Sequence, residues 1–377
     1  MLRTNKAGWT LGILALTTVV STPSIQACSV PVFRYALEHW PADPYQAVVF
    51  HRGPLSDAQE LLVRDLGREG MSGRLHANVS PRTIDLDQKV APDILEFWRR
   101  LGTDTVPWLV LRYPLAVRSP DNIWSGPLSE SAIRQVVESP ARKEIARRLG
   151  QGESAVWVLL EIGDPKKDRA AGELLESRLA YLASVLQLPK LDAQDIVNGL
   201  VSVTQKDLKL EFSSLRLSRK DEAEQAFVRM LLGIEADLKE IEEPMVFPIF
   251  GRGRALYALA GKGINHQTID EAASFLIGSC SCQVKEQNPG VDLLLAANWD
   301  AVLKTPAGAA RDLPPLADLP ETAPVTVTIS GGEETQPSSA TEGARQRGPT
   351  GKIPLLAGLA LVGLMTAGSL LLFKRRS

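Results

Sequence analysis

Thr105-Val106-Pro107-Trp108-Leu109-Val110-Leu111-Arg112 is the stretch on which the fold turns. A run of strand-forming residues opens on an X-Pro step, although proline has no N–H for a sheet ladder and is kept to strand starts and edges. A proline at that point is where a cis bond would turn the chain sharply beside a binding surface. Upstream, the apolar run Ala47-Val48-Val49-Phe50 leads through His51-Arg52-Gly53-Pro54-Leu55 into a helical pattern. Downstream, Gly126-Pro127-Leu128-Ser129 opens another helix.

The residues around these landmarks alternate strand with helix, which predicts an α/β fold. Ser56-Asp57-Ala58-Gln59 has the residues of a capping box, and Leu61, Leu62 and Leu66 supply a helical apolar face. Leu75 to Val79 is the expected second strand. Ile94, Leu95, Trp98 and Leu101 mark a helix closing at Gly102, Ile123-Trp124 a short strand, and Ala132, Ile133, Val136 and Val137 a further helix. Pro140 and Gly150 sit where a helix starts and stops. From residue 151 the plan repeats. Ala155 to Ile162 is a continuous apolar run suited to a strand buried on both faces. A helix is expected from about Arg169 to Leu186, a strand at Leu215 to Leu217, and a helix after Ser218. Met245-Val246-Phe247-Pro248-Ile249-Phe250 is then a second apolar strand holding a proline, before the turn Gly251-Arg252-Gly253-Arg254. Ala255 to Leu259 returns as a strand, and Thr268-Ile269-Asp270-Glu271 begins a last helix.

The first strand with its turn, the Pro107 strand, and the final turn and helix resemble thioredoxin in order and rough spacing. The resemblance implies two thioredoxin-like lobes in tandem, residues 44–150 and 151–303, with Pro248 in the place that Pro107 holds. It implies a protein- or peptide-binding groove formed by His51, Arg52, Val106, Pro107 and Trp108. Where thioredoxin carries Cys-Gly-Pro-Cys, this chain has Arg52-Gly53-Pro54-Leu55, so the dithiol activity does not carry over.

The two ends bear on location. Arg3 and Lys6 precede the apolar run Trp9 to Val20, then small and polar residues run to Ala27, the pattern of an export signal over residues 1–27. Cleavage there would make Cys28 the first mature residue and a conceivable lipid site, although Ile25-Gln26-Ala27 fits a lipoprotein signal poorly. Residues 28–43 form a lead-in whose apolar and aromatic content predicts packing on the domain. Residues 304–352 mix seven prolines with Ala, Gly, Ser, Thr and Glu and read as a flexible stalk. Residues 353–373 contain no charge and are long enough to cross a hydrocarbon core of about 30 Å. Lys374-Arg375-Arg376 in the tail 374–377 would stay cytoplasmic and put the rest outside. The chain as a whole resembles bacterial envelope proteins with an N-terminal signal and a C-terminal anchor in the inner membrane, a resemblance that brings no activity with it.

A net charge of −2 over 377 residues, with Lys and Arg interspersed among Asp and Glu, shows no basic stripe for a nucleic acid. No catalytic constellation and no cofactor motif stands out, since the histidines His39, His51, His76 and His266 lack ligand spacing and Gly251-Arg252-Gly253-Arg254 lacks the order of a phosphate loop. The cysteines are Cys28, Cys280 and Cys282. Export would oxidise them, and two readings stay open. Cys28 is joined to the Cys280-Ser281-Cys282 turn in a structural disulfide, or Cys280 and Cys282 form a redox or soft-metal site of unknown metal. The expectation is a membrane-anchored, extracytoplasmic protein that binds an envelope protein or peptide without chemistry, the alternative a thiol redox or metal-handling protein.

Overall fold

The computed structural model describes residues 28–67, 76–117, 119–280 and 283–304. Helix α1 (Val32–His39) precedes strand β1 (Tyr45–His51). β1 turns Tyr45, Ala47 and Val49 to one face and Val48 and Phe50 to the other, all buried, as a continuous apolar run does in a sheet covered on both sides. Ser56 caps α2 (Asp57–Leu66): its hydroxyl accepts the Gln59 N–H, and the Gln59 side chain takes the Ser56 N–H. Then come β2 (Val79–Asp85), α3 (Pro92–Arg100), β3 (Trp108–Arg112), β4 (Asn122–Pro127) and α4 (Glu130–Val137). The four strands form a sheet of order β2-β1-β3-β4, with β1 parallel to β2 and antiparallel to β3, and β3 antiparallel to β4.

The chain continues through α5 (Pro140–Gly150), β5 (Ala155–Glu161), α6 (Pro165–Val185), α7 (Ala193–Val197), β6 (Phe212–Ser218), α8 (Gln225–Leu232), β7 (Met245–Phe250), β8 (Arg254–Ala255), β9 (Leu259–Ala260), α9 (His266–Ile277), β10 (Val291–Asp292) and α10 (Trp299–Lys304). The second sheet runs β10-β8-β7-β5-β6, and β9 also pairs with β7. β6-β5-β7-β8 repeats the order and the directions of the first sheet. The fold is therefore α/β with two sheets.

The lobes share a core. Tyr45, Ala47 and Val49 of β1 and Val156, Val158 and Leu160 of β5 belong to one buried cluster, filled from between by Val136 and Val137 of α4, Ile145 and Leu149 of α5, and Phe227 and Leu231 of α8. On the far side of the first sheet, Val48, Phe50 and Val110 pack on Trp98 of α3. On the far side of the second, Trp157 and Leu159 pack with α1, α6 and α9. The helix after the second strand of each sheet is thus outermost in the first lobe and central in the second, so the lobes stack in the same sense. Polar contacts seal the junction: Tyr113 Oη donates to Arg229 O at 2.5 Å, Arg229 Nη1 to Ile123 O at 2.9 Å, and Asn78 Nδ2 to Leu293 O at 3.2 Å. Gly233 permits this, since a Cβ there would stand 2.0 Å from Tyr113 Oη. All described residues fall in one compact unit, Met1–Pro315, and the other unit, Leu316–Ser377, lies outside them.

The lead-in packs on the second lobe. Lys285 pairs with Asp43 at 2.6 Å and with Asp292 at 2.5 Å, Arg254 pairs with Asp292 at 3.0 Å, and the Arg254 guanidinium lies over Trp40. Of these charges Lys285, Arg254 and Asp292 are buried together, where breaking a pair leaves an uncompensated charge and is strongly unfavourable.

Two expectations need correction. The second strand is Val79–Asp85 and not Leu75 to Val79. It is an edge strand with only Val79 fully buried and tolerates Pro81, so it lacks the apolar signature of a central strand. Pro248 is not the counterpart of Pro107. It lies mid-strand opposite Trp157. Its carbonyl takes the Leu256 N–H at 2.9 Å, so its nitrogen faces the same side, where the partner strand is broken between β8 and β9 and the missing donor costs little. The true counterpart is Pro244. Each proline directly precedes its strand, next to a residue paired with the penultimate residue of the lobe's first strand, Trp108 with Phe50 and Met245 with Leu160. Pro107 O accepts the Leu128 N–H at 2.9 Å and Pro244 O the Gly261 N–H at 3.0 Å.

The expected signal 1–27, the stalk from residue 305, the span 353–373, the tail 374–377 and Cys282 lie outside the described residues. Among the described residues no helix is long and apolar enough to cross a membrane.

Candidate functional site

The register Phe50↔Trp108 puts His51 and Arg52, which follow β1, at the same end of the sheet as Val106 and Pro107, which precede β3. The Val106-Pro107 bond is the cis peptide among the described residues. His51 ends β1 opposite Asp85, the last residue of β2. Gly53 turns the chain with φ +62°, a conformation that favours glycine, and its N–H reaches Asp85 Oδ1 at 3.1 Å. The same oxygen accepts the Asp87 N–H at 3.0 Å, and His51 Nδ1 lies 2.7 Å from Gly53 O. These contacts, the Asp87 N–H first, then the Gly53 N–H and the nearby His51, hold the Asp85 carboxyl below the ordinary aspartate range. Arg52 Nη1 pairs with Asp87 Oδ1 at 2.7 Å with both side chains about half exposed, 54% and 50%.

The other wall is apolar. Val106 and Trp108 are half-buried and, like Ile84, Leu86, Phe97 and Leu101, pack against the buried cluster of Val48, Phe50, Trp98 and Val110. Trp108 Nε1 is buried and, among the described residues, has no hydrogen-bond partner. The backbone N–H and C=O of Val106 likewise make no hydrogen bond among the described residues, whereas Pro107 O is taken by Leu128. The result is a short stretch of unpaired backbone at the end of a sheet, with an apolar floor and a rim of His51, Arg52, Asp85 and Asp87. Among the described residues no cysteine belongs to this end of the sheet; Cys28 and Cys280 lie in the cluster of the second lobe. The arrangement suits backbone pairing with an extended segment.

The equivalent end of the second lobe differs in its side chains, while the Glu243 backbone, like that of Val106, makes no hydrogen bond among the described residues. Asp168, 6% exposed, accepts the Ile162 N–H at 3.0 Å and the Gly163 N–H at 2.9 Å. Glu243 stands where Val106 stands, before the strand-opening proline, and it pairs with Lys167 of α6 at 2.7 Å. Glu161, in the place of His51, pairs with Arg216 at 2.7 Å.

Of the cysteines, Cys28 and Cys280 both lie on the outer face of the second lobe, in the cluster that holds Tyr35. Burial pushes the Cys28 thiol up and Asp195 adds to this, while a hydrogen bond with the Val30 backbone opposes it. Among the described residues no group of three His, Cys, Asp or Glu is placed to hold a metal ion. Asp85 and Asp87 were missed by sequence reasoning, though Asp-Leu-Asp after a strand pattern was the available signal. Tyr35 offered none.

No protein-family model matches the chain, and no curated protein matches it in sequence.

Proposed function

We propose that this is a membrane-anchored, extracytoplasmic protein whose redox-inactive thioredoxin-like lobes bind a protein or peptide in extended form at the open end of the first lobe. The register Phe50↔Trp108 carries the reading, because it presents the unpaired Val106 backbone beside a turn that holds Arg52 and Leu55 in place of sulfurs. The sheet order β2-β1-β3-β4 and its repetition support the thioredoxin-like reading. The anchor rests on the sequence, in which an uncharged stretch from Ile353 to Phe373 meets Lys374-Arg375-Arg376.

Two experiments test the halves separately. A reporter enzyme active only in the cytoplasm should work when fused after Ser377 and fail when fused after Asp300, and activity at the inner fusion would refute the topology. Full-length protein titrated with an extended peptide from a random library should show amide shifts at Val106 and Gly53, and shifts confined to the second lobe would refute the groove. The protein should also fail to reduce insulin disulfides.

A further inference from the structure

The outer face of the first sheet changes character along its strands. Side chains that alternate with those of the shared core form rows across it, fixed by the strand register. Toward the groove the row is apolar, with Ile84 opposite Phe50 and Phe50 opposite Trp108. At the other end it is wholly polar: Ser80 of β2 stands opposite Gln46 of β1, Gln46 opposite Arg112 of β3, and Arg112 opposite Asn122 of β4. Ser80 is exposed and the other three are half-buried. The second sheet shows the same row when it is covered. There Val156 stands opposite Ile249, and both are fully buried in the shared core. Because the lobes stack in the same sense, the face of the second sheet that receives the first lobe corresponds to the face of the first sheet that ends the stack.

The end of a stack faces water, and water accounts for Ser80 and Gln46. It does not account for their neighbours. Arg112 Nε and Asn122 Oδ1 are both buried, do not bond to each other and, among the described residues, have no other hydrogen-bond partner. The Arg112 guanidinium lies over the Phe97 ring, 5.0 Å from its centre, and makes no ion pair or hydrogen bond among the described residues. Asp93 and Glu96, the acids of α3, do not pair with it. A donor and an acceptor on adjacent strands are thus taken out of water without partners, whereas buried polar groups in folded proteins are paired.

We propose that this end of the outer face binds an acidic segment of another protein, with an Asp or Glu carboxylate on Arg112 and a backbone N–H of the same segment on Asn122 Oδ1. A guanidinium already stacked on a ring presents its planar fork to a carboxylate in a geometry that an ammonium lacks. Arg82, beside Val48 on the same face and unpaired among the described residues, adds a second positive charge. The site lies at the opposite end of β1 and β3 from the groove, so the two readings stand or fall separately.

The test titrates full-length protein in detergent with a blocked Ala-Asp-Ala-Glu-Ala peptide and follows the Arg112 Nε–H resonance. The acidic peptide should move it to saturation, and the Ala-Asn-Ala-Gln-Ala counterpart should not. Affinity should fall at least about 10-fold in Arg112→Gln. It should fall likewise in Arg112→Lys, which keeps the charge and the stem over Phe97 should the glutamine variant fail to fold. Val106→Glu, at the groove, should leave the binding unchanged. No shift with the acidic peptide, equal shifts with the amide peptide, shifts confined to His51 and Gly53, or binding that survives Arg112→Lys would each overturn the proposal. So would a shift of the Nε–H in Glu96→Gln without added peptide, which would make Glu96 the internal partner. Inorganic phosphate moving the resonance at the same concentrations would reduce the site to an adventitious ion only, and glycerophosphoglycerol doing so would reassign it to a lipid headgroup.

Discussion

The two lobes repeat one strand order and finish it differently. In the first, the residue before the strand-opening proline is Val106, half-buried and with its backbone unpaired among the described residues. In the second, that position is Glu243, whose backbone is likewise unpaired among the described residues and whose carboxylate pairs with Lys167 of α6. The turn after the first strand shows the same contrast. Gly53 is held by Asp85, a half-buried carboxylate on a neighbouring strand. Ile162 and Gly163 are held by Asp168, a buried carboxylate from the helix that follows. The duplicated strand order thus carries an apolar residue before one proline and a half-exposed ion pair before the other, and the difference rests on a few residues around a proline, not on topology.

The comparison presumes one core beneath both ends. Phe227, fully buried in the shared cluster, sharpens this most: Phe227→Ala should cost about 3–5 kcal/mol and move a single unfolding transition seen by every probe. Two separated transitions in urea would show that the lobes fold independently. Asp168→Ala comes next, since it removes a buried carboxylate that accepts two backbone N–H groups and should cost about 1–3 kcal/mol, whereas Asp85→Ala should cost less because its carboxylate is only half-buried and water replaces it more readily. Equal losses would erase the contrast between the two turns. pH separates the ends further. A carboxyl held below its ordinary value adds stability that is complete above about pH 4 and is lost as pH falls through the lowered value. The Gly53 amide resonance should therefore begin to move only below about pH 4, and a midpoint above that would contradict the contacts drawn for Asp85. The smallest effect is expected from Arg52→Ala, whose pair with Asp87 is half in water and should be worth roughly 0–1 kcal/mol in thermal unfolding.

What could be read from the sequence follows burial. β1, β5 and β7 were visible as apolar runs because both of their faces are covered. α6 was visible from its length, though it begins at Pro165, four residues before the expected Arg169, with Asp164 as its cap. β2 was not visible, because an edge strand such as Val79-Ser80-Pro81-Arg82-Thr83-Ile84-Asp85 shows only a few of its side chains to a core. The pairing of Pro107 with Pro248 failed for a related reason. Both prolines sit in apolar stretches, and only the register separates one that opens a strand from one that lies opposite a break in its neighbour. The position of His51, Arg52, Val106, Pro107 and Trp108 was legible because they lie at the ends of β1 and β3, central strands found by their apolar runs. Asp85, Asp87 and the carboxylates at the equivalent end of the second lobe depend on which strand and helix ends meet, and no local pattern encodes that.

The account is tested most directly by exchanging the residue that separates the two ends. An array of extended peptides probed with full-length protein should lose its bound members by at least about 10-fold, or about 1.4 kcal/mol, in Val106→Glu, which writes the residue of the second lobe into the first. Glu243→Val should keep them, with Tm within a few degrees of wild type in both variants. Peptide binding that survives Val106→Glu, or that fails only in Glu243→Val, would contradict the assignment of the open end as the binding site.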